Sequence, residues 1–525
     1  MKKQFLLAII SFSLLNGFAQ QSVSRDVSES QCDMDYRPNF HFTPEKNWMN
    51  DPNGMFYLNG TYHLFFQHYP DGNKWGPMHW GHATSKDLTN WEELPIALFP
   101  DEKGYIFSGS AVVDTHNTSG FGEKGEIPII AIFTYHNIVG ERNGREDYQT
   151  QALAYSLDKG KTWTKYAKNP IIDNPGIRDF RDPKIQWDEK HQQWIMVLAA
   201  DNKSLFYTSG NLLEWELASE FGMGVGAHGG VWECPDFFPI KVENTGETKW
   251  VLIQSLNPGA YNGGSGTQYF IGDFDGKTFK PEDYLKDLSP EHNYWIDFGK
   301  DNYAGVTWSN APHAADERIF LGWMSNWQYA QEVPTHTWRS AMTFPRVLKL
   351  KKKNDNTYRI FSNPVKQLDS LSELKYSKNT EFSEDRLLIA DKSMVDMDKL
   401  RIKLEIPEID GRRYRFELKN SKGDLLVFGY DDHSKHFFID RKKSGKIDFS
   451  ENFADKISTA PRTSDKEALT VEILIDKTSV EIFYDEGETV MTEIFFPEAP
   501  MDKLSLQSHE GDIIIKNLKV YELHN

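Results

Sequence analysis

Short runs that alternate between apolar and polar residues, or are wholly apolar, fill the chain from about residue 36 to 350. Gly, Pro, Asn and Asp break them. Residues 60–66, 127–135, 193–199, 249–255 and 318–323 are the clearest. Each has strand length, β-branched or aromatic content, and turn residues nearby. No long stretch carries helical periodicity. The pattern predicts a mostly β fold.

A weak internal repeat sharpens this. Residues 85–91 (SKDLTNW) are echoed by 156–163 (SLDKGKTW) and by 209–215 (SGNLLEW). Each copy follows a strand-like segment. The Asp or Asn side chain can cap a turn, and Trp91, Trp163 and Trp215 can pack between neighbouring sheets. Copies about 50 residues or somewhat more apart suit the blades of a propeller with loop insertions. Three unrelated hairpin turns ending in Trp would give the same pattern.

The texture changes after Leu350. Residues 351–380 are polar and read as a linker that could include a short helix. From 381 to 525 alternation returns, at 400–406, 413–418, 425–430, 468–475, 480–484 and 513–521, which reads as a β-sandwich. Before the propeller region, Lys2 and Lys3 precede an apolar run over 5–15, and Gly17-Phe18-Ala19 offers small residues at a cleavage point. Residues 1–19 therefore read as a signal peptide of an exported protein, periplasmic or secreted. The polar residues before Cys32 argue against lipid attachment there. No other stretch is long and apolar enough for a membrane helix, so no integral membrane segment is expected once the leader is removed.

Composition narrows the partners. The chain has 525 residues and a net charge of −18, which disfavours nucleic acid and anionic membranes. Two cysteines exclude a disulfide scaffold and a Cys-based metal cluster. Aromatics reach 14%, with 15 Trp. Their flat apolar faces with a polar edge suit sugar rings, and also suit an ordinary large β core.

Three segments can carry chemistry. Trp48-Met49-Asn50-Asp51-Pro52-Asn53-Gly54 reads as a turn, yet it sets an Asn and an Asp beside Trp48, where polar groups need partners or a task. Arg178-Asp179-Phe180-Arg181-Asp182-Pro183 reads as a surface ion pair, or as a carboxylate that guanidinium holds ionised. Gly229 to Asp236 contains Trp232-Glu233-Cys234. It reads as a strand end with a buried Cys, or as a Glu whose aromatic and thiol neighbours raise its pKa and make it a proton donor.

Taken together and in this order, these segments resemble glycoside hydrolase family 32, the β-fructofuranosidases, over essentially the whole mature chain. His41 to Gly54 is similar to the family's opening signature. Phe65-Phe66-Gln67, Lys74 to His82, Phe107-Ser108-Gly109-Ser110, Arg181-Asp182-Pro183 and Trp232-Glu233-Cys234 match its later blocks. The resemblance implies an all-β chain, a five-bladed β-propeller followed by a C-terminal β-sandwich, with three acids around the funnel. It implies Asp51 as nucleophile, Glu233 as general acid/base, and Asp182 as the residue that holds the fructosyl hydroxyls and stabilises the transition state. Asn50, Gln67, Trp75, Phe107, Ser108 and Arg181 would line the fructose pocket, with Trp323 and Trp327 closing its rim.

The expected activity is retaining, exo-acting release of fructose from fructan polysaccharide (levan or inulin), fructo-oligosaccharide or sucrose. The complete Trp75 to Trp80 block carries the exo choice. Alternatives from the same site are endo-acting hydrolysis and fructosyl transfer. A non-catalytic sugar-binding propeller would not need the acid trio. A sialidase, suggested by the likeness of 156–163 to an Asp-box, would need an arginine cluster and a Tyr nucleophile, and no such grouping is evident. His68, His79 and His82 raise the question of metal, but a β-rich segment with Trp80 between two of them favours packing or contacts to substrate hydroxyls. Neither metal nor cofactor is expected. The glycine-rich runs at 222–230 and 263–266 lack phosphate-loop spacing. Cys234 is expected free and buried, tuning Glu233, in preference to a disulfide with Cys32. The sandwich is expected to be structural support, with an accessory sugar-binding role as the alternative.

Overall fold

The computed structural model describes residues 36–123, 125–382, 386–409, 411–509 and 513–524. The proposed leader and Cys32 lie outside them. The apolar and alternating runs form five antiparallel sheets in sequence order. Blade 1 holds Asn47–Leu58, Thr61–Tyr69, His79–Ser85 and Glu92–Leu98. Blade 2 holds Tyr105–Val113, Ile129–His136, Gln149–Ser156 and Thr164–Lys165. Blade 3 holds Phe180–Asp188, Gln193–Ala200, Lys203–Ser209 and Glu216–Phe221. Blade 4 holds Val231–Lys241, Thr248–Asn257, Gly266–Phe274 and Phe279–Pro281. Blade 5 holds Tyr303–Thr307, Arg318–Met324, Arg346–Lys352 and Tyr358–Pro364. The first strand of each blade packs against the first strand of the next, and that of blade 5 returns to that of blade 1. This closed ring is a five-bladed propeller.

The repeat seen in the sequence is one turn used three times, between the third and fourth strands of blades 1, 2 and 3. The Ser85, Ser156 and Ser209 hydroxyls accept from the backbone N–H of Leu88, Gly160 and Leu212 at 2.8, 2.9 and 2.9 Å. Asp87, Asp158 and Asn211 accept from the residues that follow. Two of the three tryptophans bridge blades. Trp163 of blade 2 meets Phe65 of blade 1 edge-on, and Trp91 of blade 1 stacks with Trp308 beyond the inner strand of blade 5. Such aromatic pairs contribute about 0.5–1.5 kcal/mol each beyond their buried area. A short strand, Trp338–Arg339, pairs in parallel with Asn47 and Trp48 and ties the end of the ring to its start.

Two six-stranded sheets form the C-terminal sandwich. Residues 351–380, expected as a linker, instead carry the outer strand of blade 5, Tyr358–Pro364, and most of the first sandwich strand, Ser372–Phe382, with a short helix, Leu368–Leu371, between them. The sandwich is bolted to the propeller by buried charges. Arg346 of blade 5 meets Asp297 and the sandwich residue Glu481, and Arg441 of the sandwich meets Asp301. Gly299 lies so close to the sandwich backbone that a Cβ would sit 2.0 Å from the Thr492 carbonyl oxygen.

Candidate active site

Each inner strand leaves regular register at the same level of the ring. The irregularities fall between Met49 and Pro52, Ile106 and Gly109, Arg181 and Lys184, Glu233 and Asp236, and Tyr303 and Val306. A bulge re-aims the side chains beside it, and here the bulges carry Asp51, Ser108, Asp182 and Cys234. Gly109 makes one of them possible, since a Cβ there would lie 2.1 Å from the Ile132 carbonyl oxygen.

The result is one cavity of about 220 Å³ that brings Asp51, Asp182 and Glu233 together. Asn50, Gln67, Trp75, Phe107, Ser108, Arg181 and Trp327 line it too. Trp323 does not. It is fully buried and packs behind the wall against Trp48 and Trp327, with ring centroids 6.1 and 5.0 Å away. It supports the rim that it was expected to form. A larger groove of about 800 Å³ runs between blade 5 and the sandwich, but none of the expected site residues lines it.

Asp51 receives three donors. Asn50 Nδ2 donates at 3.0 Å, Ser108 Oγ at 2.8 Å and the Cys234 thiol at 3.4 Å. Asn50 is held in turn by Trp48 Nε1 at 2.7 Å. Glu233 is oriented by the Arg181 guanidinium, whose Nη2 lies 3.0 Å from Oε1, and by the Tyr303 hydroxyl on Oε2. Asp182 accepts the Cys234 backbone N–H at 3.0 Å, while its own N–H donates to Thr134 Oγ1. Burial pushes the Asp182 carboxyl up to about 7. Arg181 opposes that shift, and the charges of Glu233 and Asp51 add to it.

One expectation about partners, that of Cys234, is corrected, and Arg181 bonds carboxylates other than Asp182. Its nearest approach to Asp182 is 3.9 Å, and it bonds Asp179 at 2.5 Å and Glu233 instead. The Cys234 thiol does not sit on Glu233. It is a free, buried thiol between Asp51 and Asp182, 3.4 and 3.6 Å from their Oδ2 atoms. Burial and the three carboxylates raise its pKa well above the usual thiol range, so it is a neutral donor.

The pocket holds residues that sequence reasoning passed over. His136, Glu141, Tyr148, Gln149 and Asp179 line it, and Tyr303 bonds Glu233. Polar residues at alternate positions of an apolar strand, Gln149 and Gln151 or Thr134 and His136, were the available signal. Gln67 is 2% exposed, and its Nε2 has no hydrogen-bond partner among the described residues. The three histidines considered for metal are otherwise engaged. His68 bonds the Trp48 carbonyl, His79 the Pro77 carbonyl, and His82 the ring of His63.

The likeness to known proteins extends over most of the chain. The N-terminal domain of glycosyl hydrolases family 32 matches residues 41–364, and the family's C-terminal domain matches 356–522. The chain is 46% identical to a levanase of Bacillus subtilis over 525 residues, all of this chain and 75% of that protein. It is 41% identical to an extracellular exo-inulinase of Aspergillus niger over 495 residues, 89% of this chain and 90% of the relative. The crystal structure of an exo-inulinase from Aspergillus awamori superposes with a TM-score of 0.83 at 37% identity, covering 93% of this chain and 98% of that one. The chain belongs to glycoside hydrolase family 32.

Proposed function

We propose that the protein is an exported, exo-acting fructan hydrolase that releases fructose with retention of configuration. The observation that carries this is the division of donors among the acids in one small cavity. Asp51 is fixed by three donors, whereas Glu233 lies between a guanidinium and a phenol. In a retaining glycosidase one carboxylate attacks the anomeric carbon and the other acid protonates the departing oxygen. Asp51 takes the first role. Its carboxylate bonds to C2 of the fructosyl unit as the C2–O bond to the leaving group breaks, and the Glu233 proton passes to that oxygen. Glu233 then removes a proton from water, which attacks C2 and releases Asp51. Asp182, whose carboxyl burial raises to about 7, binds the fructosyl hydroxyls.

Gln67 Nε2 supplies a buried donor for a sugar hydroxyl, and Trp75, Phe107 and Trp327 supply apolar faces. Pockets for drug-sized ligands run to roughly 300–1,000 Å³, so a cavity of about 220 Å³ suits one terminal sugar better than the middle of a chain. That supports exo action over endo action. The levanase and exo-inulinase relatives support levan and inulin as substrates, with fructo-oligosaccharide and sucrose as shorter ones. Export is supported by the leader-like N-terminus and by the extracellular relatives. No helix among the described residues is long and apolar enough to cross a membrane.

The test is to incubate the protein with levan, inulin and sucrose and separate the early products. Fructose as the sole early product, appearing first as the β anomer by NMR, is expected. A ladder of oligomers overturns exo action, and an α product overturns Asp51 as nucleophile.

A further inference from the structure

Blade 2 carries an insertion at the mouth of the cavity. Residues 137–148 leave strand Ile129–His136, form the short helix Ile138–Arg142, and return to strand Gln149–Ser156. The Asn137 backbone N–H donates to the Tyr148 carbonyl at 2.8 Å, and the Asn137 side chain accepts from the Gly140 N–H at 2.8 Å. The loop is therefore pinned at both ends.

Its base is a clamped imidazole. The His136 ring stacks on Phe107 with centroids 4.1 Å apart and planes 4° from parallel, and meets the edge of Tyr148 at 5.3 Å. Gln149 Nε2 donates to His136 Nδ1 at 3.2 Å, which leaves the proton on Nε2. Nε2 lies 3.1 Å from Glu141 Oε2 and donates to it. The far side of Gln149 is fixed as well, because its Oε1 accepts from the Phe180 N–H at 2.8 Å and from Arg181 at 3.4 Å. A chain of hydrogen bonds thus runs from Glu233 through Arg181, Gln149 and His136 to Glu141.

Exposure rises from the innermost acid of the cavity to the outermost. The side chains of Asp182, Glu233 and Glu141 are 6%, 20% and 35% exposed. The fructosyl unit lies at the closed end, and the group that Glu233 protonates departs toward the open end, where Glu141 stands. One Glu141 oxygen is bound to His136. The other makes no hydrogen bond among the described residues, and a carboxylate oxygen is a strong acceptor for sugar hydroxyls.

Building on the fructosidase reading above, we propose that Glu141 determines leaving-group specificity. It accepts hydroxyls of the sugar that departs, and His136 acts as the residue that positions it. The site thereby selects a polyhydroxy leaving group over an apolar one.

The experiment compares a fructan trisaccharide with p-nitrophenyl β-D-fructofuranoside, whose aryl leaving group offers no hydroxyls. The readout is the ratio of kcat/KM for the two. Losing a hydrogen bond to a charged group is expected to lower that ratio about 10- to 100-fold in Glu141→Gln and Glu141→Ala. His136→Ala is expected to lower it similarly, and the double variant no further than Glu141→Ala alone. Equal loss on both substrates, with the wild type active, overturns the assignment of Glu141. An additive double variant overturns the positioning role of His136. A wild type inactive on both substrates overturns instead the fructosidase reading on which the inference rests.

Discussion

The contact between propeller and sandwich contains a titratable group whose effect on stability has a definite sign. His41 lies in the segment before blade 1 and is almost fully buried. Its Nδ1 is 2.8 Å from Asp476 and its Nε2 2.8 Å from Glu481, both buried residues of the sandwich. Burial alone would lower the imidazole pKa, but the hydrogen bonds and charges of Asp476 and Glu481 outweigh it and raise the value to about 9. The folded protein therefore holds this proton more tightly than the unfolded chain, whose His titrates near 6.5. The stabilisation is complete below about pH 6.5 and is lost as pH rises through about 9. A rise of some 2.5 units corresponds to about 3 kcal/mol. Against its burial, Glu481 is lowered to about 2, by the charge of Arg346 first and by His41 after it, so the His41 contribution is counted once, on His41. Equilibrium urea unfolding, followed by Trp fluorescence from pH 6 to 9.5, measures the loss. His41→Gln keeps two hydrogen-bonding ends without a titratable proton. It should be less stable than wild type at pH 6.5 and converge on it near pH 9. Parallel curves for the two proteins across that range would refute the reasoning.

The remaining predictions concern the acids. Asp51→Asn should lower turnover by roughly 10⁴-fold or more with little change in the unfolding midpoint; near-normal turnover removes it as nucleophile. Glu233→Gln should cost roughly 10²–10⁴-fold on fructan and far less on an aryl fructoside, whose leaving group needs no proton. Asp182 predicts the opposite of a catalytic loss in stability. Its carboxyl is raised to about 7, so ionising it in the folded state costs stability as pH climbs from about 4 to 7. Asp182→Asn should therefore be less active yet more stable at pH 8, by up to about 4 kcal/mol, with the gain shrinking below pH 5. Thermal unfolding at the two pH values decides it.

Much of the fold was readable because period-two alternation and the Ser-x-Asp turn are local signals. The turn recurs in three blades with closely similar hydrogen bonds, and Trp91 and Trp163 pack across blades as expected. Partner choice was harder to read, because neighbours in sequence are not neighbours in space. Successive residues of a strand point to opposite faces, so Cys234 reaches Asp51 and Asp182 while Glu233 reaches Arg181 and Tyr303. Tyr303 lies 70 residues from Glu233 in another blade, too far along the chain for any local pattern to pair the two. Trp323 and Trp327 look equivalent in sequence. Trp323 lies within a strand buried throughout, whereas Trp327 lies in the turn beyond it.

The bulges place two residues at the site, Asp182 and Cys234, and Ala304 beside Tyr303, in unusual backbone. Asp182, Cys234 and Ala304 have φ of +64°, +45° and +53°, a region that costs a residue with a Cβ of order 1–3 kcal/mol and persists only where the surroundings impose it. Here the closed ring imposes it, because each inner strand is held by its neighbours on both sides. The backbone sets the direction of each Cα–Cβ bond, and the hydrogen bonds of the site set the rest of the side chain. The same strain limits what can replace these residues. Asp and Asn tolerate the left-handed region better than other residues with side chains, so Asp182→Asn changes charge at nearly constant geometry. A β-branched residue at 182 would add backbone strain to the lost carboxylate, and its effect on activity would report both at once.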